Sequence, residues 1–551
     1  MKRTIAILLS LVMLLGVLAG CGSSSGSSAG TSAPTAAPEK PAEAAKPAES
    51  QQAAPAEEPA APKYLRVSLY SYPTDLEPTN GYYGWGLTRM GIGETLIKFD
   101  PQLQMQPWLA TGWEQDPNDP EVWVFHIREG VKFHNGNTMT AQHVMETIQR
   151  SMDKNSRAKN IANIKEMSVD GMDLTIVTNG PYAALVPYLA EPLFTIVDTT
   201  ADTENFATMP ICTGPYMVEK FDQSVNTRVV KFADYWDGEP GCDVIDFPYL
   251  QDADARAMAL QAKDIDVGQA LVNKDLGPFR NNSDFVIQSR PSTKTIFCYM
   301  NSAGEFLSNK DLRMAIAYAV DRELYSKNFI GGAPATGPYS DTMGWGNDQL
   351  TAPNFDPDHA MEILDAAGIV DSDNNGYREL NGKEIVLSLL VAGTSDITVF
   401  KPMSEAMQAQ LKNVGIHVEI NNVESYTEAD AVKENYLDMM YKHVNAGVNN
   451  DPQNFLSLYF KTGGSNNFGN YSNAEYDAMI DDLFTTLDRD ERIAKTIKLS
   501  QFLIDDAAAL FLGYPDYNLV STSRVTNFTQ YAVDWYCIDK DVTVTDVRPL
   551  P

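Results

Sequence analysis

Histidine is scarce in this chain, and the local signatures of common catalytic sites are missing from its main body. Only 6 histidines occur in 551 residues, and His126, His134 and His143 lack the i, i+4 spacing of two metal ligands on one helix face. Residues 63–551 contain no G-x-S-x-G, H-E-x-x-H or G-x-x-x-x-G-K-[ST] motif. These absences argue against a hydrolase, a metalloprotease or a P-loop NTPase. No catalytic residue, metal ligand or cofactor is therefore predicted, and the chain is not expected to be an enzyme.

Basic residues are also in short supply. The sequence has 42 lysines and arginines against 73 acidic residues, a formal net charge of -31. Such a surplus of negative charge repels phosphates, which excludes nucleic acid and anionic lipid as main partners. No segment after residue 62 is apolar over a length that could cross a bilayer.

Cysteine is rare, and its five positions do not fix a disulfide framework. Apart from Cys21, the cysteines are Cys212, Cys242, Cys298 and Cys537, which allow at most two bridges in three possible pairings. Cys298 lies in the apolar run 295–300 and is predicted to be a buried thiol.

A secretory signal peptide is predicted at residues 1–20. A basic pair, Lys2 and Arg3, precedes the apolar run 5–18, which is too short to span a bilayer comfortably. The run ends in Leu18-Ala19-Gly20-Cys21, which resembles a bacterial lipobox and makes Cys21 the expected site of lipidation. Residues 21–62 are rich first in Gly and Ser and then in Ala, Pro and Glu, a composition that predicts a disordered tether. The expected location is the outer face of the cell membrane, as in Gram-positive bacteria.

The body alternates strand and helix patterns, which predicts an α/β fold. Leu65, Val67 and Leu69 alternate with polar residues, as in a half-buried strand. Helices are expected after Thr140, Ser308, Asp356 and Asp488, each a residue that can cap a helix. A strand at 385–391, a helix at about 398–414 and a strand at 416–420 predict a parallel, right-handed crossover.

The run 371–376 resembles the start of a calcium-binding loop. An EF-hand would need glutamate at its twelfth position, where this sequence has Gly382. A polar turn between a helix and a strand is the preferred interpretation.

Five blocks of residues stand in a characteristic order along the body. They are Gly93–Leu96 with Pro107–Trp113, Trp123–Gly136 and Thr140–Ala141; Thr213–Tyr216; Tyr235–Gly238; Leu312–Ala315 with Ala319–Arg322; and Asn470–Asn473 with Tyr476–Asp477. In order and spacing they resemble the extracytoplasmic solute-binding proteins of family 5, the peptide and nickel class that serves ABC importers. Small departures are Phe232-Ala233, where Asn-Pro is usual, and His143, where aspartate is common.

The resemblance implies a two-lobed, type II periplasmic-binding-protein-like α/β fold with an extra subdomain and a ligand cleft between the lobes. The core lobe would combine residues 63–100, 210–298 and 515–551, with an inserted subdomain at 101–209. The second lobe would be 299–514. Closure of the lobes about a hinge of two connecting segments would remove water from the ligand.

Candidate ligand-binding residues come from both lobes. Tyr82, Tyr83 and Trp85 lie in a Gly-rich loop after the first strand, and Trp345 lies between two glycines. Such aromatics suit either a ligand platform or a plug over the core.

A second set of candidates lies in one loop of the second lobe: Asn445, Asn449, Asn450 and Asp451. The asparagines either bind ligand amides or serve turns. In dipeptide binders of the family, an aspartate three residues before the Asp-Pro pair holds the ligand's amino terminus. Here that position is Val448, which favours longer peptides or a neutral polar ligand over dipeptides.

The resemblance implies a function in solute uptake. The expected ligand is an oligopeptide, and the expected partners are the permease subunits of an ABC transporter and, through the lipid, the membrane. The protein is expected to act as a monomer. Alternatives are a nickel or other metal chelate, an oligosaccharide, or a sensory lipoprotein on the same fold.

Overall fold

One large mixed β-sheet runs through the protein, seen in a computed structural model that describes residues 61–392, 397–423, 437–447, 449–548 and 550. The sheet has 12 strands in the order β18-β17-β19-β13-β20-β11-β1-β10-β9-β8, with β12 and β14 paired to β20. Their bounds are β1 Tyr64–Ser68, β8 Tyr216–Asp222, β9 Asn226–Lys231, β10 Val244–Pro248, β11 Val267–Gln269, β12 Phe285–Pro291, β13 Lys294–Met300, β14 Gly332–Pro334, β17 Val386–Ala392, β18 His417–Val423, β19 Met439–Asn445 and β20 Ala509–Thr522.

The predicted first strand is confirmed as β1, at the centre of the core lobe. It pairs in parallel with β10 on one side and β11 on the other. Leu65 and Val67 are fully buried in an apolar cluster, as the alternating pattern predicts. Tyr64 and Ser68 on the opposite face are buried as well, so the prediction of a half-buried strand is wrong. The strand, which lies in the middle of the sheet, is therefore covered on both faces.

The predicted parallel pairing of the crossover is confirmed in the second lobe. Strands β17 and β18 pair in parallel over their whole length, joined by α9 (Ile397–Asn413). Side chains of this helix, among them Phe400, Met403 and Met407, are buried against the sheet in a second cluster. The other described α-helices of this lobe are α6 Lys310–Ala319, α7 Arg322–Tyr325, α8 Pro357–Ala366, α10 Pro452–Phe460, α11 Ala474–Thr485 and α12 Arg489–Asp505.

A separate four-stranded antiparallel sheet lies within the segment 101–209. Its order is β4-β5-β7-β6, with bounds β4 Ala110–Gln115, β5 Val122–Ile127, β6 Ile164–Asp170 and β7 Asp173–Thr178. Helices α2 (Ala141–Lys154), α3 (Ser156–Ala162) and α4 (Leu185–Leu189) accompany it. At the start of α2 the His143 ring accepts from the Thr140 backbone, while the Thr140 hydroxyl accepts from the His143 backbone. His143 therefore completes a capping box in place of an acid.

The remaining described elements are short or lie at the edges of the core lobe. Three pairs of strands are β2 with β3, β15 with β16 and β21 with β22. Their bounds are β2 Ile97–Phe99, β3 Met105–Pro107, β15 Glu379–Leu380, β16 Lys383–Glu384, β21 Val525–Thr526 and β22 Thr543–Val544, and the helices are α1 Tyr83–Arg89 and α5 Ala253–Gln261.

Strand β20 is the element that both lobes share. Its first part pairs with β13, which in turn pairs with β19 of the second lobe, and its last part pairs with β12 and β11 of the core lobe. The chain changes sides at Ser292 and Thr293, between β12 and β13, and again near Pro515 within β20. Two connecting segments thus join the lobes at these points. The domain limits given above remain a prediction.

Three of the four predicted helix starts are confirmed, the one at Thr140 by the capping box of α2. Asp356 and Asp488 cap α8 and α12 as predicted, because their carboxylates accept from His359 N and Glu491 N. The predicted cap at Ser308 is wrong by one residue. Asn309 caps α6, since its amide oxygen accepts from Leu312 N at 2.9 Å.

None of the three cysteine pairings forms among the four cysteines in the described part of the chain. Cys212, Cys242, Cys298 and Cys537 are all buried, free thiols, as predicted for Cys298. Cys21 and the tether lie outside the described residues. Within those residues, no helix combines the length and the apolar character needed to cross a membrane.

Candidate functional site

The segment 82–85, called the aromatic loop below, does not lie in a loop as predicted: Tyr82 precedes α1, and Tyr83 and Trp85 lie within that helix. One exposed ring and one partly buried ring of this segment are in contact. The ring centroids of Tyr82 and Trp85 lie 4.9 Å apart, and Tyr82 is 57 % exposed. The hydroxyl of Tyr83 lies 2.5 Å from that of Thr74. Beneath Tyr82 lies the guanidinium of Arg157, 5.1 Å from the ring centroid. Tyr82 therefore presents an aromatic surface to solvent, and Trp85 supports it.

A cavity of about 790 Å³ opens beside this loop. Its lining comes from residues 71–89 and 154–156 and includes Tyr82, Tyr83 and, at the carboxyl end of α1, Arg89. The volume is in the range of small-molecule sites in proteins.

The loop 445–451 contains buried amides that the fold does not use. Asn449 is 2 % exposed, and both polar atoms of its side chain lack a hydrogen-bond partner within the described residues. Asn445 accepts from the Thr293 hydroxyl at 2.6 Å, whereas its buried amide nitrogen finds no partner in the same part of the chain. Buried polar groups are normally satisfied, so each exception needs an explanation.

Asn450 bridges the second lobe and the inserted subdomain. Its amide nitrogen donates to Leu103 O at 3.0 Å, and its oxygen accepts from the indole of Trp345 at 3.3 Å. Trp345 is buried, with the guanidinium of Arg489 4.8 Å from its ring centroid. The loop 445–451 consequently lies at the junction of the lobes.

Asp451 is fully engaged by its own lobe. One carboxylate oxygen accepts from Gln453 N at 3.0 Å and caps α10, and the other lies 2.6 Å from a guanidinium nitrogen of Arg492. Arg492 also donates to Leu483 O and Thr486 O. The aspartate therefore ties α10 to α12. The neighbouring position Val448 lies outside the described residues.

The structure brings the predicted residues together in two groups, not one. Tyr82 contacts Trp85 in the core lobe, and Trp345 contacts Asn450 in the second lobe. Residues of both sides do share one buried cluster, which joins Tyr182 and Tyr188 to Tyr339 and other second-lobe residues. Whether the predicted side chains bind ligand stays a prediction.

A buried charged cluster next to the aromatic loop was not predicted from the sequence. Asp534, 3 % exposed, accepts from the hydroxyl of Tyr70 and lies 3.4 Å from the Lys294 ammonium and 3.7 Å from Arg89 Nη2. Burial alone would raise the pKa of the Asp534 carboxyl, but Lys294 and Arg89 hold it below its ordinary value. The hydroxyl of Tyr517, also buried, has no partner among the residues described.

A second buried acid lies under Trp85. Glu191 is completely buried, and its Oε1 lies 2.5 Å from Arg157 Nη2. Burial raises the pKa of the Glu191 carboxyl, while the Arg157 charge opposes that rise. No local sequence signal marks either cluster, because their members come from segments far apart in the chain.

The described residues offer one set of three possible metal ligands, and it is distant in sequence from these groups. Carboxylate oxygens of Asp371 and Asp373, in the polar loop before β15, and of Glu379, the first residue of β15, lie within 4.8 Å of one another. Asp371 also accepts from the backbone of Asn375 and Gly376, as expected of the predicted turn. Exposed acids of this kind are common without a metal.

Comparison with protein families gives one match over most of the body. Residues 104–467 match the family described as bacterial extracellular solute-binding proteins, family 5 Middle. A curated relative, the nickel-binding protein NikA of Staphylococcus aureus, is 26 % identical over 460 residues, covering 83 % of this chain and 90 % of that protein.

Solved structures share the fold at lower identity. The crystal structure of Staphylococcus aureus NikA with Ni(L-His)2 has a TM-score of 0.72 at 24 % identity, covering 88 % of this chain and 100 % of that one. The oligopeptide-binding protein AppA of Bacillus subtilis, in complex with a nonapeptide, has a TM-score of 0.70 at 20 % identity, covering 89 % and 100 %. These likenesses confirm the two-lobed, type II α/β fold.

Proposed function

This chain belongs to the bacterial extracellular solute-binding proteins of family 5, and on that premise we propose that it captures oligopeptides between its lobes. Proteins of this family bind a solute and deliver it to an ABC transporter, and they are not enzymes. The bound peptide would lie between the loop 445–451 and the aromatic loop at Tyr82 and Trp85. The permease subunits would receive it from the closed form.

The observation that carries the proposal is the unused amide of Asn449. Its side chain offers a donor and an acceptor, both buried at the junction of the lobes and both without a partner in the described residues. A peptide main chain presents the complementary acceptor and donor at every residue. Asn445 adds a second unused donor at the end of β19.

Two features support longer peptides over dipeptides. Valine stands at position 448, where the resemblance calls for an acid that holds the ligand's amino terminus. Asp451 does not replace it, because Arg492 and the cap of α10 engage both of its carboxylate oxygens.

A metal chelate is the second candidate, favoured by the likeness to the nickel-binding protein of Staphylococcus aureus. Within the described residues, the sole group of three clustered histidine, cysteine or acidic ligands is the exposed one at Asp371, Asp373 and Glu379. A metal bound between the lobes would therefore arrive inside an organic chelator that supplies its ligands.

Mass spectrometry of the co-purified ligand tests the function. The full chain is purified in mild detergent and denatured, and the released molecules are identified. A series of peptides of related length is expected. A single nickel chelate or oligosaccharide would contradict the peptide proposal, and a sensor kinase gene beside this one without permease and ATPase genes would favour the sensory alternative.

Lipidation of Cys21 is a separate proposal about location. The lipobox-like sequence supports a monomeric receptor held at the outer face of the membrane by a thioether-linked lipid. Radioactive palmitate should label the wild-type chain, and Cys21→Ser should abolish the label and release the protein from the membrane fraction. Equal labelling of both chains would contradict the proposal.

A further inference from the structure

Arg89 is a buried arginine whose guanidinium is only partly used by the fold. Its Nε donates to Asp534 O at 2.6 Å, and its Nη2 donates to the Tyr70 hydroxyl at 2.9 Å. The third nitrogen, Nη1, makes no hydrogen bond to any residue that the structure describes. The residue is 3 % exposed, and Nη1 is not one of the fully buried nitrogens, so the small exposed part of Arg89 includes this atom.

The carboxylate of Asp534 lies near a second cation as well as near Arg89. Asp534 accepts from Tyr70 and lies closer to Lys294, at 3.4 Å, than to Arg89, at 3.7 Å. Two cations thus lie beside this carboxylate. Burial lowers the pKa of the Arg89 guanidinium, but Tyr70 and Asp534 raise it above its ordinary value, so the side chain stays charged and can attract an anion.

Another buried arginine of the same lobe shows what a purely structural role looks like. Arg256 is also 3 % exposed, and its three nitrogens all donate to backbone carbonyls, those of Gln269, Leu250, Gln251 and Ala270. Each nitrogen of Arg256 therefore makes at least one hydrogen bond within the fold. Arg89 differs because its Nη1 makes no hydrogen bond to the described residues.

A cavity lies beside Arg89, whose Nη1 has no hydrogen-bond partner in the part of the chain that the structure describes. Arg89 is one of the residues that line the 790 Å³ cavity beside the aromatic loop. The acid in that lining, Asp75, already accepts from Asn80 and from Glu77 N, so it is held in place without Arg89. The aromatic rings of Tyr82 and Tyr83 line the same cavity. A small organic acid fits this volume, with its apolar part against the rings.

We propose that Arg89 is a specificity-determining residue that binds an anionic oxygen group of the ligand, a carboxylate, through Nη1. The inference rests on the proposed function, since it concerns a ligand held against the aromatic loop. It adds that the ligand must carry a free acid. That acid would be the carboxyl terminus of a peptide or a carboxylate of a chelator, which share this chemistry.

The first test uses acetate and acetamide as probes on the full chain. Thermal unfolding is followed with each probe for wild type, Arg89→Gln, Arg89→Lys and the control Arg256→Gln. Acetate is expected to raise the unfolding midpoint of wild type and Arg256→Gln, because a ligand that binds only the folded state stabilises it. Acetamide should raise neither, and acetate should not raise that of Arg89→Gln. Arg89→Lys, which keeps the charge and loses Nη1, should respond weakly and decides the matter if Arg89→Gln does not fold.

The second test uses trialanine and trialaninamide in titration calorimetry. Wild type should bind the free acid about tenfold more tightly or better, as expected for one charge-assisted hydrogen bond. Arg89→Gln should bind both equally, whereas Arg256→Gln should keep the difference.

The two tests separate this inference from the peptide proposal. If acetate stabilises Arg89→Gln as much as wild type, or stabilises neither, the anion site is wrong. Equal affinity of wild type for trialanine and its amide would overturn it as well. If neither tripeptide binds while acetate still requires Arg89, the anion site stands and the peptide proposal fails.

Discussion

At the scale of single residues, buried asparagines in this protein differ in what they do. Asn518 is buried and fully used: its nitrogen donates to Leu271 O at 3.0 Å and its oxygen accepts from Ser289 at 2.7 Å. Asn449 is equally buried, and both of its polar atoms lack partners in the described chain. The hydrogen bonds of Asn518 stabilise the folded state, whereas burial of Asn449 without partners destabilises it. This difference is expected if the Asn449 side chain binds a ligand.

Replacement of Asn449 should therefore separate binding from stability. Asn449→Ala is expected to weaken ligand binding about tenfold and to leave the free energy of unfolding unchanged or higher. Asn518→Ala, the control, should lower the free energy of unfolding by about 1–3 kcal/mol because it leaves buried partners unsatisfied. Urea unfolding and calorimetry with the co-purified ligand measure the two effects. A loss of stability in Asn449→Ala as large as that of the control would contradict this assignment.

Glu94 is a completely buried carboxyl that faces neutral donors. Tyr235 and Thr213 each donate to it at 2.7 Å, and the indole of Trp236 donates at 3.0 Å. Burial raises the pKa of Glu94 to about 7, although these hydrogen bonds lower it. In the unfolded chain the pKa is near 4.5. The folded state therefore holds the proton over a pH range in which the unfolded state has lost it.

The stability of the protein should respond to this carboxyl between about pH 5 and pH 7. Because the folded pKa is the higher one, the contribution of Glu94 is fully present below the unfolded pKa and is lost as the pH rises through about 7. Relative to Glu94→Gln, wild type should lose up to about 1.4 kcal/mol of unfolding free energy per pH unit in that window. Urea unfolding of both chains at several pH values measures the difference. The buried His134, whose pKa burial lowers to about 4, has the opposite effect but is common to both chains. Parallel pH profiles would rule out the role of Glu94.

Candidate site residues can be predicted from the sequence when they lie in one short segment. Groups of residues from distant segments cannot be predicted in this way. Tyr82, Trp85 and the asparagine loop could be singled out because each set lies in one short stretch with glycine or proline beside it. Arg89 and Asp534 could not, because only the fold brings residues so distant in the chain to within 3.7 Å.

At the scale of helices and strands, sequence patterns predict the features that depend on residues close together in the chain. The caps at Asp356 and Asp488 and the β17-α9-β18 crossover depend on side chains within a few residues of one another. At α6 the sequence offers Ser308 and Asn309 side by side, and only the backbone path decides that Asn309 reaches Leu312 N. The shared strand β20 depends on pairing with β11, β12 and β13, which no local pattern indicates.

Two aspartate caps of the second lobe should differ in their contribution to stability. Asp451 caps α10 and also pairs with the buried Arg492 of α12, whereas Asp488 caps α12 with no cation in its described contacts. Asp488→Ala should cost about 1 kcal/mol, as for a lost cap. Asp451→Ala should cost about 3 kcal/mol or more, because it leaves the Arg492 charge buried without its partner. Urea unfolding measures both, and equal losses would mean that the ion pair contributes little.

At the scale of the whole molecule, one side chain reaches from the second lobe to the inserted subdomain. Asn450 donates to the carbonyl of Leu103, and both residues have a left-handed backbone, with φ of 45° and 61°. A leucine in this conformation carries strain that its surroundings must offset. The contact exists only when the lobes are together, so it favours the closed form.

Removal of this donor should open the ligand-free protein. Asn450→Asp keeps a residue that tolerates the left-handed backbone and replaces the donor nitrogen by an oxygen that repels the Leu103 carbonyl. The ratio of closed to open molecules should fall about fivefold or more, since a net hydrogen bond contributes about 1 kcal/mol. Small-angle X-ray scattering should show a larger radius of gyration. The matched control is Asn470→Asp, whose left-handed residue donates to Asn301 within one lobe and should leave the radius unchanged. Identical radii for both variants and wild type would exclude this contact as a latch.

The neighbours of β1 in the large sheet have a consequence for how the protein folds. β1 lies beside β11, and β11 lies beside β20, so strands from the beginning, middle and end of the body form adjacent ladders. Contacts between segments so distant in sequence make folding slow. A chain that passes through a membrane amino terminus first cannot complete this sheet until residues 509–522 have followed. Because the family is extracellular, we expect slow assembly to keep the polypeptide unfolded during translocation, so that folding is completed on the outer side.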